Sequence, residues 1–247
     1  MLTLADVDVF IHTSHILRRV SLAVGAREVV CLVGRNGSGK TTTLRTIMGY
    51  RCARPPVESS SGESPFTAAA PTRSPGSDSA GRRRTRGIFP DLTVAENIEI
   101  ATWTRPGGGP RRERIDLAYS VFPVLRRYRA RKGPEMSGGE RKMLSIARAL
   151  ALDPEMLLLD EPFEGLSPAI IPAVSAGVAA ITKLGRAILI AESNIHHVPE
   201  YTTRLYVIER GEIVFGGPPD DAWRDTTVTR IVGGAARSTP PSRTPLQ

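Results

Sequence analysis

Gly34-Arg35-Asn36-Gly37-Ser38-Gly39-Lys40-Thr41 follows the strand-like run Glu28 to Val33 and precedes Thr41 to Met48, whose spacing predicts a helix. These eight residues satisfy the pattern G-x-x-x-x-G-K-[ST] at every position, in the strand–loop–helix setting the pattern requires. Glycines let main-chain N–H groups wrap phosphate oxygens, and the positive end of the helix dipole lies at the same place. Lys40 is expected to reach the β- and γ-phosphates of a bound nucleotide, the Thr41 hydroxyl to ligate Mg²⁺, and Thr42 to contact phosphate. A bare glycine-rich turn would not explain Lys-Thr at its end. Residues 34 to 42 are therefore the candidate nucleotide-binding segment.

A second element lies more than a hundred residues on. Leu157-Leu158-Leu159-Asp160-Glu161-Pro162 places two acids at the carboxyl end of an apolar run, where ligands of open α/β sheets bind. Asp160 is expected to hold Mg²⁺ through water, and Glu161 to orient and polarise an attacking water as general base. The competing reading makes one acid a turn cap and leaves the other solvated. Met156 to Leu159 and Ala187 to Ala191 are nearly continuous apolar runs, the pattern of strands buried on both faces of a parallel sheet. Leu2 to Phe10 and Arg19 to Val24 read as two short strands, and Arg204 to Glu209 with Glu212 to Phe215 as a closing hairpin turned at Arg210-Gly211. Leu117 to Arg127 and Glu140 to Leu150 carry helical spacing. The expected class is α/β: a phosphate-loop core with a mostly parallel sheet flanked by helices, an N-terminal antiparallel β subdomain and a helical lobe over 92–150.

Between loop and acids stands Met136-Ser137-Gly138-Gly139-Glu140. Ser-x-x-Glu before an apolar-periodic helix is a capping box. It is also compatible with a ligand role, since a capped helix start bearing two glycines can bring bare N–H groups to a phosphate. The order of the motifs is what carries meaning: phosphate loop, Ser-Gly-Gly-Glu, paired acids, then Glu164-Gly165-Leu166-Ser167. In this order the chain resembles the ATP-binding-cassette ATPases. The resemblance implies that Ser137, Gly138, Gly139 and Glu140 form the signature that closes over ATP held by a second subunit, identical or not, and that residues 164–167 form the loop through which two cassettes communicate.

Ile88-Phe89-Pro90-Asp91-Leu92-Thr93-Val94-Ala95-Glu96-Asn97-Ile98, Val121-Phe122-Pro123-Val124-Leu125 and Met136 to Glu140 look like the ATPase subunits of branched-chain amino-acid importers. That likeness runs from residue 1 to about 234. It implies a cytoplasmic subunit, peripheral on the inner face of the membrane, that docks on two permease subunits and powers uptake from a solute-binding protein. Two positions depart from the pattern. Where most cassettes carry a switch histidine after Glu192, this chain has Ser193, too short to make the same contact with a γ-phosphate. The aromatic that usually stacks on adenine is represented best by Phe10, although Ile11 falls closest to the usual tyrosine.

Composition sets outer limits. At 247 residues the chain suits one α/β domain or two small lobes. The longest apolar late stretch, Ala169 to Ala191, is broken by Pro172, Lys183 and Arg186, so no membrane span is expected. The start lacks the basic and apolar regions of a signal peptide. Cys31 and Cys52 make neither a disulfide framework nor metal spacing, and His12, His15, His196 and His197 are read as surface or helix-end residues, the last two on the helix that follows Ser193. The net charge of +8 could suggest nucleic acid. Its distribution argues against that partner, because Arg51 to Arg86 holds seven Arg against three acids and so supplies half of it.

That window is the anomaly of the chain. It contains five Pro, seven Ser and no Leu, Ile, Met, Tyr or Trp, where a cassette should have apolar strands and the loop that grips Mg²⁺, water and permease. One reading is a disordered insertion. The other is a pair of compensating frame errors. Pro71 to Ala80 can be encoded so that the adjacent frame reads Asp-Glu-Ile-Ala-Arg-Leu-Gly-Leu-Gly, and Arg83 to Gly87 so that it reads Pro-Asp-Glu-Arg, both like the missing family segment. The tail 235–247, rich in Ser, Thr, Pro and Arg, is expected to be disordered. Two rivals stay open: a cassette for urea, amides or another small solute, and a nucleotide-binding protein that assembles without hydrolysing. A chromosome-organising cassette would need a long heptad segment before the signature, and none is present.

Overall fold

The structure, a computed structural model, describes residues 2–49, 87–103 and 109–232. The anomalous window 51–86 and the tail 235–247 lie outside the described residues. In chain order the elements are β1 (Leu2–Ile11), β2 (Ser14–Val24), β3 (Val29–Val33), α1 (Lys40–Ile47), α2 (Val94–Ala101), α3 (Arg111–Val121), α4 (Val124–Arg127), α5 (Gly138–Ala151), β4 (Met156–Asp160), α6 (Ile171–Lys183), β5 (Ala187–Glu192), β6 (Arg204–Glu209), β7 (Glu212–Gly217), α7 (Pro219–Ala222) and α8 (Thr226–Val232). They form two compact units, one within Met1–Thr67, Leu158–Glu164 and Gly185–Gln247, the other within Ala68–Leu157 and Gly165–Leu184.

In the first unit, five strands lie in the order β4-β5-β3-β6-β7. β3 runs parallel to β5 and β6, and β7 runs antiparallel to β6. Every residue of β3 and β5 is buried, which explains why their sequences lack polar alternation. The last pair is a two-residue hairpin whose turn residues Arg210 and Gly211 both have positive φ, as the twist of flanking strands requires. β1 and β2 form a separate antiparallel sheet. The turn glycine links the parts: Gly211 N donates to the Ser38 carbonyl at 2.9 Å, and the Gly211 carbonyl accepts from Arg18 N at 2.8 Å. A Cβ on Gly211 would collide with the Ile16 carbonyl, so glycine is required there twice over.

The second unit is helical. Ser137 caps α5, whose inward face is Met143, Leu144, Ile146, Ala147, Leu150 and Ala151. Thr93 and Glu96 make the reciprocal capping box of α2. Asn97 is buried with its polar atoms engaged: Oδ1 accepts from Phe89 N at 2.7 Å, and Nδ2 donates to the carbonyls of Phe89, Leu92 and Thr93. This pins the turn that precedes α2. Arg148 donates to the Asn97 carbonyl at 3.0 Å and lies over the Phe89 ring, and burial lowers its pKa to about 10.

Three local expectations need correction. β2 begins at Ser14 rather than Arg19: the strand runs back to a turn at His12, where φ is 54°, through an irregularity at Arg18 and Arg19, both exposed, that breaks its alternation. The single helix expected over Leu117 to Arg127 is two helices. Pro123 has no N–H and keeps Phe122 out of helical geometry, at φ −126° and ψ 77°, so α3 stops there and α4 restarts beyond it. His196 and His197, expected on the helix after Ser193, lie on a single 3₁₀ turn, Ile195–His197.

Candidate functional site

The phosphate loop connects β3 to α1. Gly37 and Gly39 have φ of 81° and 115°, left-handed values that favour glycine, and Gly39 caps α1 without any side-chain hydrogen bond. The first-turn donors of α1 are thus left to the loop and to whatever binds it. A Cβ on Gly34 would strike the Ile208 carbonyl and Ser38 Oγ, which explains the first glycine by packing. Ile16, Asn36, Gly37, Gly39, Lys40, Thr41, Thr42 and Glu161 line a cleft of about 250 Å³ over this loop.

The charged groups converge there. Lys40 is only 4% exposed; its Nζ donates to the carbonyls of Gly34 at 2.8 Å and Arg35 at 3.1 Å, and lies 3.4 Å from Glu161 Oε1. Thr41 Oγ1 donates to Asp160 Oδ2 at 3.0 Å. Three of the residues read from sequence as chemical groups, Lys40, Thr41 and Glu161, therefore line one cleft, and the fourth, Asp160, 119 positions from Thr41, is joined to it through the Thr41 hydroxyl. Thr41 and Asp160 present hard oxygen donors of the kind that suits Mg²⁺, which uses one or two protein oxygens together with substrate phosphates and water. Among the described residues no cluster of three or more His, Cys, Asp or Glu could hold a metal by itself.

Other expected site residues fall elsewhere. The Arg35 side chain turns away from the cleft: Nε donates to the Ile231 carbonyl at 2.8 Å and Nη2 to the Arg230 carbonyl at 3.3 Å, capping the end of α8. Only its main chain remains at the loop. Phe10 stacks on His15 with ring centroids 4.1 Å apart and planes 8° from parallel, and His15 bonds Asp8 at 2.7 Å. The Arg19 N–H and His15 hold the Asp8 carboxyl below its ordinary pKa. Ile16, on the strand after this stack, is the residue that lines the cleft. Sequence reasoning passed over it, although it follows the stack by a single step on β2.

Glu192 was also passed over. It is fully buried, Oε1 accepts from Phe163 N at 3.1 Å, and Oε2 lies 3.5 Å from His197 Nδ1. Burial, then the neighbouring His196, lowers the pKa of His197. Ser193 follows at the end of β5, half-buried. Burial, with Glu192 adding to it, raises the Cys31 thiol well above its usual pKa and keeps it protonated and inert.

In the helical unit the signature segment forms the expected box. Glu140 N donates to Ser137 Oγ at 3.3 Å, and Glu140 Oε2 accepts from Ser137 N at 2.6 Å. The two glycines are not equivalent. A Cβ at Gly139 would strike Ile170, whereas nothing lies within 4 Å of one at Gly138. Gly139 is thus explained by packing, and Gly138 leaves open space at the helix start.

The family model described as ABC transporter matches residues 17–164, more than half of the chain. The chain belongs to the ABC transporter ATPase family. Among similar proteins is the lipopolysaccharide export system ATP-binding protein LptB of Haemophilus influenzae, 32% identical over 222 residues, covering 87% of this chain and 89% of that protein. Another is the high-affinity branched-chain amino acid transport ATP-binding protein BraG of Pseudomonas aeruginosa, 34% identical over 228 residues, covering 87% and 91%. A solved cassette, the ADP conformation of MJ1267, shares the fold at TM-score 0.69 and 23% identity, covering 95% of this chain and all 100% of that one. The chain is therefore an ATPase of the transporter class, with the α/β cassette fold. No described helix is long and apolar enough to cross a membrane.

Proposed function

We propose that this cassette is the ATP-hydrolysing subunit of an importer for branched-chain or related amino acids. The observation that carries the hydrolytic part is the meeting of Lys40, Thr41 and Glu161 at one cleft, with Asp160 joined to it through Thr41. In this reading, main-chain N–H groups of residues 34–42 bind the phosphates of ATP, and Lys40 exchanges its contacts with loop carbonyls and Glu161 for the β- and γ-phosphate oxygens. Thr41 and Asp160 would hold Mg²⁺, which would supply neutralisation of charge on the phosphates. Glu161 accepts a proton from the attacking water, aligned opposite the leaving oxygen. Ile16, which lines the cleft, flanks the base.

Ser137, Gly138 and Gly139 of a second cassette, identical or not, close over the γ-phosphate. Gly138 supports this assignment, since the open space beside it is what an approaching phosphate needs. Closure and reopening of the pair would drive two permease subunits at the inner face of the membrane, fed by a solute-binding protein, with no nucleic acid involved. Ser193 offers less to the γ-phosphate than a switch histidine does, so basal turnover should be slow. Support for amino-acid import comes from the segments 88–98, 121–125 and 136–140 and from the likeness to BraG. The likeness to LptB favours a second reading, a cassette serving lipopolysaccharide export.

Reconstitution in vesicles with its cognate permease tests both. ATP-dependent accumulation of a branched-chain amino acid in vesicles is the expected result. Extraction of lipopolysaccharide from the vesicles, with no amino-acid uptake, would replace the first reading by the second.

A further inference from the structure

β5 is apolar from Ala187 to Ala191 and ends in a fully buried acid. A buried carboxyl is costly to place unless it is engaged, and packing alone would be better served by Val or Leu. Glu192 is engaged with two parts of the site. Its main-chain carbonyl accepts from Gly34 N at 3.2 Å, the first N–H of the phosphate loop. Its side chain accepts from Phe163 N at 3.1 Å, just beyond the paired acids. His197 stands behind it, with Nδ1 3.5 Å from Oε2 and its ring edge-on to Phe163 at 6.2 Å between centroids.

The turn so held is Glu161-Pro162-Phe163. Glu161 has φ of 48°, a left-handed conformation that a residue with a side chain keeps only where its surroundings over-determine it. Pro162 has no N–H to offer. The turn is therefore tied to β5 at two points: Glu161 N to the Ala191 carbonyl at 2.9 Å, and Phe163 N to the Glu192 carboxyl. Only the second depends on a side chain. One residue thus fixes the distance between the loop that binds phosphate and the turn that aims the carboxylate.

We infer that Glu192 is the positioning residue of Glu161, holding the turn after β4 so that the Glu161 carboxylate faces the attacking water. This rests on Glu161 being the hydrolytic carboxylate. Removing the tether leaves the phosphate loop its own donors, Lys40 included, so the effect belongs to turnover rather than to nucleotide affinity. Small misplacements of a reacting group are enough to lower a rate by about 10- to 100-fold.

The test compares Glu192→Ala, Glu192→Gln and Glu192→Asp in the full chain, with Glu161→Gln alongside. ATP affinity, steady-state kcat and melting temperature are measured for each. Glutamine keeps an acceptor at the same reach, whereas aspartate keeps the acid but falls one carbon short of Phe163 N. The expected pattern is kcat near the parent for Gln and at least about tenfold lower for Asp and Ala, with ATP affinity level across the set. Parental kcat in the Asp variant, or a loss in Gln as large as that in Ala, overturns the inference. Should Ala not fold, the Gln and Asp pair decides alone. Parental turnover in Glu161→Gln instead removes the reading of Glu161 on which the inference rests.

Discussion

Lys40 and Glu161 face each other at 3.4 Å, the ammonium of the phosphate loop against the second acid of β4's end, with the lysine almost wholly buried. In the proposed reading, nucleotide bound at this cleft would compete with Glu161 for Lys40. Released from that pair, the carboxylate would be free for the role proposed for it on water.

Glu161→Gln tests the role directly. The amide keeps the size of the side chain but cannot take a proton at neutral pH. ATP binding should persist while kcat falls by about 10²- to 10⁴-fold, the range for loss of a general base. A variant that hydrolyses ATP at the parental rate removes Glu161 from the chemistry.

The signature makes a separate prediction, because Ser137 is exposed at the start of α5. Ser137→Arg should leave ATP affinity unchanged and abolish ATP-dependent dimerisation on size exclusion, since its bulk and charge would occupy the place of the partner's γ-phosphate contact. Equal dimerisation of variant and parent would refute the sandwich arrangement.

The two signature glycines should part company under the same substitution. Gly139→Ala drives a methyl into Ile170 and should cost about 1–3 kcal/mol of stability, read as a lower melting temperature. Gly138→Ala meets nothing and should hold or raise the melting temperature by the helix preference of alanine, worth about 0.5–1 kcal/mol. Its loss should appear in ATP-dependent dimerisation. Identical thermal behaviour of the two variants would contradict the packing described for Gly139.

Arg35→Ala addresses a residue whose sequence position and side-chain use differ. Its guanidinium caps α8 through the carbonyls of Ile231 and Arg230, so the variant should lose about 1 kcal/mol of stability. ATP affinity should change little, since the loop's hold on phosphate is through main-chain groups. A drop in ATP affinity larger than the drop in stability would return the side chain to the nucleotide.

What could be read in advance follows from how local each signal is. The phosphate loop, Ser137 with Glu140, and the Arg210-Gly211 turn are short-range motifs whose geometry is set within a few residues. The structure shows each where the spacing puts it. The apolar runs of β3, β4 and β5 announced buried strands in the same way. The capping box Thr93-x-x-Glu96 marked α2 and Pro172 the start of α6, yet neither helix was singled out from the sequence. Less legible were facts that depend on residues far apart in the chain. Nothing local to Glu192 says that its carboxyl reaches Phe163, and nothing in a phosphate-loop pattern says that Arg35 caps a helix 195 or more residues later. The break at Pro123 was written in the sequence, and the apolar spacing on either side of it outweighed the proline in the reading.

Residues 51–86 lead to a prediction about the gene. A true insertion would leave the family's own apolar strands and Mg²⁺-gripping loop beside it, and between Thr41-Thr42-Thr43 and Ile88 no such segment stands. Compensating frame errors account for both the foreign composition and the missing segment. Sequencing the gene across these codons should therefore return a shift near codon 51 and its reversal before codon 88, and restore a Pro-Asp-Glu-Arg-like sequence ahead of Ile88. The protein with the present window should then couple weakly or not at all to a permease, while the restored protein should support transport. A confirmed frame throughout, with normal transport by this chain, would defeat the idea and make the window a genuine insertion.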